Sequence, residues 1–373
     1  MIRDIDLIVV GTGLSGCVIA EQAANKFGWK VLMTERRNHI AGNCFDKCME
    51  NGVLVHQYGP HYFRTNNPAL IDYLSQFTSW IAGNYIVKSS FQGQLFPFPI
   101  NINTLEQFFH QSLNPDSAQN LLEKERKDFS QPTNSEEFVL SRVGCSLYEA
   151  FYLNYTLKQW GKHPRELDAS VCGRIPVRFN RDNRYVDHKF QLMPAQGYTS
   201  MIQKMIDHPN IHVLLNTDFK DINISEIPCV VYTGPIDEYF NYCYGVLPWR
   251  SLKFEYKNIE QEFVQPCVQI NYPNEHDYTR SVEIKHVTGQ KHPNTTIVYE
   301  YPSNEGEPYY PIPATENRML YEKYKELAEI ETKGKNVFFT GRLAEYAYLN
   351  MDEVIERAFN IFERIKMEVK STL

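Results

Sequence analysis

No run of the 373 residues is apolar for long enough to span a bilayer, and the one apolar stretch near the N-terminus lacks a cleavage-site pattern. These absences predict a soluble, cytoplasmic protein with no membrane insertion. No block of Lys and Arg is dense enough to follow a phosphate backbone; with a formal net charge of -7 and interspersed acids and bases, the sequence predicts no nucleic-acid partner. The eight cysteines form no Cys-x-x-Cys pair and have no His at ligand spacing, which predicts reduced thiols and no metal site. Repeats and low-complexity segments are missing too. The length exceeds one compact core and predicts two or three domains.

What is present begins with the apolar run Asp6–Val10, which feeds into Gly11-Thr-Gly13-Leu14-Ser15-Gly16. A helix over roughly Leu14 to Phe27 follows, and a second apolar run, Val31–Thr34, stops at Glu35. Strand, glycine turn, helix, strand and terminal acid arrive in the order and within the roughly 30 residues of a dinucleotide-binding unit. Gly11 allows the sharp turn, Gly13 the approach of a pyrophosphate to backbone, and Gly16 the close packing of helix on sheet. Glu35 is placed to accept hydrogen bonds from a ribose, and an acid there argues against a 2'-phosphate.

Beyond the polar loop Arg36–Asn43 and the segment Tyr58–Asn67, both predicted to cover the cofactor, the pattern from about Pro68 to Leu157 is helical. A helix from Gln196 to Asp207 and strands at Ile211–Leu215 and Cys229–Gly234 return the chain to its first domain. Extended patterns at Ser251–Tyr256, Val264–Tyr272, Ser281–His286 and Thr295–Tyr301 predict an antiparallel sheet. A helix at about Thr315–Ile330, a buried strand at Val337–Arg342 and a helix at Met351–Val369 complete the chain. The predicted fold class is mixed α/β: a Rossmann-like dinucleotide-binding domain (1–78, 193–243 and 314–373), a helical insertion (79–148) and an antiparallel-sheet substrate domain (149–192 and 244–313).

A nicotinamide enzyme would pair this fold with an acid/base His in a compact second domain, and none stands out at such spacing. Flavin fits better. The run Phe338-Phe-Thr-Gly341-Arg342 followed by the Met351 helix has the form of the second phosphate-facing helix of FAD proteins, and there is no second fingerprint for NADPH.

Together with GTGLSG, the segments ERRNHIAGN, Gln57–Asn67, Tyr155–Gly161, Arg174–Arg178, Asp182–Tyr185, Tyr232–Asp237, Arg250–Phe254, Tyr278–Arg280, Glu307–Pro311 and Gly341–Tyr346 occur in an order that resembles the prokaryotic UDP-galactopyranose mutase family over nearly the whole chain. The resemblance implies noncovalent FAD, active when reduced by an external donor (NAD(P)H or a reductase), and a homodimer. The implied enzyme is an isomerase that interconverts UDP-galactopyranose and UDP-galactofuranose through a bond between flavin N5 and sugar C1. It does so with no net redox and supplies furanose for cell-surface polysaccharide such as lipopolysaccharide.

The same resemblance assigns residues. Arg174 and Arg280 match the diphosphate-binding arginines, with Arg174 on a mobile lid, 165–178. Tyr155, Tyr185, Tyr310 and Tyr348 match hydroxyls that reach the diphosphate, and Phe151, Thr156 and Asn271 match the uridine subsite. Trp160 and Asn84 match positions near the sugar, and Arg250 opens a matching substrate-domain segment. His61 and Arg64 match a catalytic loop against the flavin. Cofactor positions are Gly11, Gly13, Leu14, Ser15, Gly16, Glu35, Arg36, Gly42, Asn43, His61, Tyr62, Gly341, Arg342, Asn350, Met351 and Val354.

The chain departs from the family pattern at Arg64, where His is usual, at Asn350, where an acid is usual, and at Ala41, where Gly is usual. Arg64 and Asn350 leave open another nucleotide sugar, of 6-deoxy or N-acetyl type. Two further alternatives stay open: a flavin oxidase or dehydrogenase on the same fold, and a nucleotide-sugar binding protein without turnover.

Overall fold

The computed structural model describes residues 5–223 and 227–369. A five-stranded parallel sheet runs in the spatial order Ile211–Leu214, Val31–Thr34, Leu7–Val10, Val230–Tyr232, Val337–Phe339. Its strands are nearly continuous in β-branched and apolar residues because the sheet is covered on its faces. The helix Leu14–Phe27, buried from Leu14 to Ala24, packs against the terminal helix Met351–Val369. Gly28, at φ 67°, ends the first helix by donating its N–H to the Ala24 carbonyl. Leu7–Val10 leads into the glycine turn between neighbours that belong to different parts of the chain, which is the switch point where such sheets bind ligands.

A seven-stranded sheet follows the order Tyr310–Pro311, Trp249–Ile259, Thr295–Ser303, Arg280–Val282, Gln269–Asn271, Val87–Phe91, Gln94–Phe98. Two expectations are corrected here. The sheet is mixed, because Gln269–Asn271 pairs in parallel with Val87–Phe91, so the antiparallel reading fails at that edge. Residues 80–98 also leave the helical insertion: Trp80–Ala82 joins a small sheet with Phe63–Thr65 and Phe190–Pro194, and 87–98 form a hairpin. Its turn, Gln92-Gly93, has φ values of 50° and 74°, the left-handed pair that matches strand twist in a tight hairpin. The strands read at Val264–Tyr272 and Ser281–His286 shorten to Gln269–Asn271 and Arg280–Val282. The cause is the buried Glu283 carboxylate, which draws the N–H groups of Val264 and Gln265 out of the ladder at 2.7–3.2 Å.

The helical part holds Ile102–Phe109, Pro115–Glu125, Ser135–Tyr148 and Asn154–Trp160, the first three capped by the side chains of Asn101, Asn114 and Asn134. Between the last two lies a π turn, Glu149–Leu153, which carries Phe151. No helix among the described residues is long and apolar enough to cross a membrane. The cysteines are all free thiols.

Candidate active site

The carboxyl ends of the parallel strands open into a cavity of about 210 Å³. Gly11, Gly13, Leu14, Ser15, Glu35, Arg36, Gly42, Asn43, His61, Gly341, Arg342, Met351 and Val354 line it, and all are residues expected to hold the cofactor. Gly16 does not. A Cβ there would sit 2.2 Å from the Gly11 carbonyl oxygen and 3.0 Å from Val9, so its role is the packing of the helix on the strand. Glu35 accepts from the Thr12 N–H and hydroxyl (3.1 and 2.9 Å) and from the Arg37 N–H (3.0 Å), which fixes its carboxylate at the cavity edge. Two hydroxyls in the lining, Ser15 Oγ and Thr34 Oγ1, are buried without a hydrogen-bond partner among the described residues. An unpaired buried hydroxyl costs about 1–3 kcal/mol, so both suit a polar ligand.

A second cavity, of about 760 Å³, is walled by the seven-stranded sheet, the helical segment that holds Phe151 to Trp160, and the loops around His61 and Tyr348. The two cavities share Asn43, His61, Arg342 and Met351 in their walls. Arg174, Arg280, Arg64, Tyr62, Asn350, Phe151, Tyr155, Thr156, Trp160, Tyr185, Asn271, Tyr310 and Tyr348 all line the larger one. Its floor comes from strand register. Glu300, Arg280 and Asn271 stand opposite one another on three adjacent strands, and directly opposite residues share a face of the sheet.

Of the five arginines that line this cavity, four act together on Tyr348. The Cζ atoms of Arg174 and Arg342 lie 4.1 and 5.2 Å from the centre of the Tyr348 ring, and that ring stacks on Tyr310 at 5.7 Å. Arg280 Nε donates to Glu300 Oε2 at 2.5 Å, and its Nη2 donates to the Tyr310 hydroxyl at 3.1 Å. Arg64 donates to Tyr62 Oη at 2.5 Å and to Asn350 Oδ1 at 2.6 Å. Among the described residues only Arg280 of the four has a carboxylate partner. Burial works to raise the Tyr348 hydroxyl, but Arg174, Arg342, Arg64 and Arg280 override it and hold the group down to about 8. A surplus of fixed positive charge in a cleft draws anions.

Where the cavities meet, His61 Nδ1–H donates to the Gly59 carbonyl at 2.9 Å, and the His61 N–H donates to His56 Nδ1 at 2.9 Å. Burial pushes the His61 ring down to about 3, with His56 and Arg342 adding to the effect, so the imidazole is neutral. A neutral ring at this tautomer leaves Nε2 as an acceptor rather than a proton donor.

Two expected substrate residues are not brought to the cavity. Asn84 is exposed and outside the lining, and its neighbour Tyr85 lines the wall instead. Arg250 is buried behind the wall, where Nε and Nη2 donate to the carbonyls of Gln159 and Lys158 at 2.9 and 2.8 Å and Nη1 reaches Asn304. It closes the C-terminal end of the helix Asn154–Trp160, whose last carbonyls attract a cation. Sequence reasoning missed Tyr85, Gln159, Gln269, His188 and Tyr309 in the larger cavity. It also missed Arg37, which binds Asn43 Oδ1 at 3.0 and 3.1 Å. Its position beside Arg36, after the acid, was the available signal.

A parallel sheet with a glycine turn at its switch point, opening into an arginine-lined cleft, defines a Rossmann-type α/β enzyme that handles a phosphate-bearing ligand. A family model described as UDP-galactopyranose mutase matches residues 150–348, and one described as NAD(P)-binding Rossmann-like domain matches residues 9–77. The chain is 41% identical over 360 residues to a probable UDP-galactopyranose mutase of Klebsiella pneumoniae, covering 95% of this chain and 92% of that protein. It is 35% identical to a dTDP-fucopyranose mutase of Escherichia coli, with 94% and 96% covered. A crystal structure of reduced UDP-galactopyranose mutase superposes with a TM-score of 0.76 at 15% identity, covering 97% of this chain and 95% of that one. The chain belongs to the UDP-galactopyranose mutase family and is an isomerase.

Proposed function

We propose that the chain is a flavin-dependent mutase that interconverts UDP-galactopyranose and UDP-galactofuranose. The observation that carries this reading is the cluster of four arginines around Tyr348, three of which have no carboxylate partner among the described residues, in a cleft that shares His61, Arg342 and Met351 with the dinucleotide cavity. The residues suit FAD: Ser15 and Thr34 offer unpaired hydroxyls, the turn at Gly13 is open to a pyrophosphate, and Glu35 stands ready for a ribose. When bound in reduced form, FAD supplies a nucleophilic ring nitrogen for the anomeric carbon, and the sugar ring opens and recloses with no net redox.

The chain's own residues have three tasks in this reading. Arg174 and Arg280 clamp the diphosphate that leaves C1 and is taken back; guanidinium gives a fixed fork of donors to phosphate oxygens. Tyr155, Tyr185, Tyr310 and Tyr348 add hydroxyl contacts, and closure of the lid 165–178 keeps water from the opened sugar. His61, neutral and held by Gly59 and His56, orients the loop between nucleotide and sugar. The division into a nucleotide domain, a helical insertion that begins after residue 98 and a sheet domain that includes the hairpin 87–98, together with a homodimer, a cytoplasmic setting, an external reductant and a role in cell-surface polysaccharide, belongs to the same proposal.

A second reading keeps the chemistry and changes the sugar. Arg64 and Asn350, the two departures from the family pattern, bind each other in the wall of the sugar cavity, and one relative at 35% identity is named for dTDP-fucopyranose. In this reading that altered wall selects a 6-deoxy or N-acetyl sugar. Incubating dithionite-reduced protein with UDP-galactose, UDP-N-acetylgalactosamine and dTDP-fucose, and separating the products by chromatography, decides between the two. Oxygen consumption with no ring contraction would instead mark an oxidase.

A further inference from the structure

The wall of the larger cavity contains a chain of buried amides that ends at Asn271. Tyr85 is 1% exposed, and its ring stacks on Tyr62 at 4.2 Å. Its hydroxyl has one hydrogen-bond partner among the described residues, Gln269 Oε1 at 2.9 Å. A buried hydroxyl with one partner must give that partner its hydrogen, or the O–H is left unmatched. Gln269 therefore turns its oxygen to Tyr85 and its nitrogen away, and Nε2 donates to Asn271 Oδ1 at 2.7 Å. The polarity passes to Asn271. Its Oδ1 keeps one free lone pair, and its Nδ2, which has no partner among the described residues, is left for the cavity. Burial also keeps the Tyr85 phenol protonated far above its ordinary range, so the relay holds its direction at working pH.

We infer that Tyr85 and Gln269 are positioning residues that lock the Asn271 amide in one orientation, so that the cleft accepts an imide pyrimidine, uracil or thymine, and rejects cytosine. This rests on the reading above, in which the cavity takes a pyrimidine nucleotide. The imide edge of uracil or thymine presents N3–H beside a carbonyl oxygen, which matches an amide offering one lone pair and one N–H. Cytosine presents N3 as an acceptor beside an amino donor and needs the amide flipped. Asn271 stands opposite Arg280 in the ladder, so a base held there has its phosphates on the arginine side. The 5-methyl group plays no part in this contact, and the relay admits UDP and dTDP sugars alike.

The test is titration calorimetry of UDP, dTDP and CDP with the full-length, flavin-loaded protein. The wild type is expected to bind UDP and dTDP at least about tenfold more tightly than CDP, the size of one mismatched buried hydrogen bond. Tyr85→Phe frees the relay, and the UDP:CDP ratio narrows about threefold or more. Gln269→Glu still accepts from Tyr85 but cannot donate to Asn271, which then turns its nitrogen to the carboxylate and its oxygen to the cavity; the ratio shifts toward CDP. This second variant carries the test if Tyr85→Phe does not fold. A UDP:CDP ratio near one in the wild type, or a ratio unchanged in folded variants that weaken both nucleotides equally, overturns the inference and leaves the mutase reading standing. A wild type that binds none of the three nucleotides overturns the mutase reading itself.

Discussion

Arg280 Nε donates to Glu300 Oε2 at 2.5 Å across neighbouring strands, and Glu300 is completely buried. The pair fixes the fork that faces the cavity through Nη2 and Tyr310. Arg280→Ala removes a charged contact to diphosphate and leaves a buried carboxylate alone. The expected loss is about 2–4 kcal/mol in kcat/KM, roughly 30- to 1000-fold, together with a lower Tm. Glu300→Gln keeps the guanidinium but loosens it, for which about a tenfold fall in kcat/KM is expected. Steady-state kinetics with thermal melts checks both.

Tyr348 makes the site pH-sensitive. Its hydroxyl sits at about 8 because four arginines favour the phenolate over the opposing effect of burial. A bound diphosphate competes for the same cations and disfavours the phenolate, so above pH 8 binding must be accompanied by proton uptake. Affinity for UDP is therefore expected to be flat below pH 8 and to fall by up to about tenfold toward pH 9. Tyr348→Phe should abolish the fall. An identical decline in the variant would show that another group titrates.

Arg64 and Asn350 are expected to behave as one unit. A double-mutant cycle with Arg64→Ala and Asn350→Ala should give a coupling of about 0.5–3 kcal/mol in substrate discrimination, because the two share a hydrogen bond at 2.6 Å. Additive effects on kcat/KM would mean that the contact is incidental to sugar choice.

Gly42, at φ 52°, closes the nucleotide cavity against Gly13, and a Cβ at Gly42 would lie 2.8 Å from the Gly13 Cα. Gly42→Ala is expected to push these backbones apart and to yield protein that purifies with little flavin. The absorbance ratio near 450 and 280 nm reads this directly.

Arg250→Ala separates a structural arginine from the binding ones. Three polar contacts to Gln159, Lys158 and Asn304 are lost behind the cavity wall. Loss of these buried contacts is expected to destabilise the fold by about 1–3 kcal/mol, with KM changed far less than in Arg280→Ala. A KM effect equal to that of Arg280→Ala would restore Arg250 to the substrate list.

The nucleotide half was legible because each of its requirements leaves a local mark: alternating strand and helix, a glycine turn of fixed spacing, and Gly28 just beyond Phe27 as a stop. The hairpin 87–98 left a weak mark. Lys88, Ser89 and Ser90 blur the alternation, and the strand is specified by its parallel partner Gln269–Asn271, far away in sequence. Tyr85 could not be found from its own surroundings, since one tyrosine among 24 carries no pattern. Its role follows from a strand 184 residues later. Arg250 failed for the opposite reason: a matching segment tells which residue is present and not which way it points.

The most direct test of the central claim, that an arginine-clamped diphosphate sits against a flavin, is chromatography of nucleotide-sugar products from the FAD-loaded protein before and after reduction with dithionite. A yellow protein is expected that interconverts the pyranose and furanose forms only when reduced, with conversion by Arg280→Ala slowed by roughly 30- to 1000-fold. Colourless protein that cannot be reconstituted with FAD, or reduced protein that contracts none of the three nucleotide sugars, would contradict it.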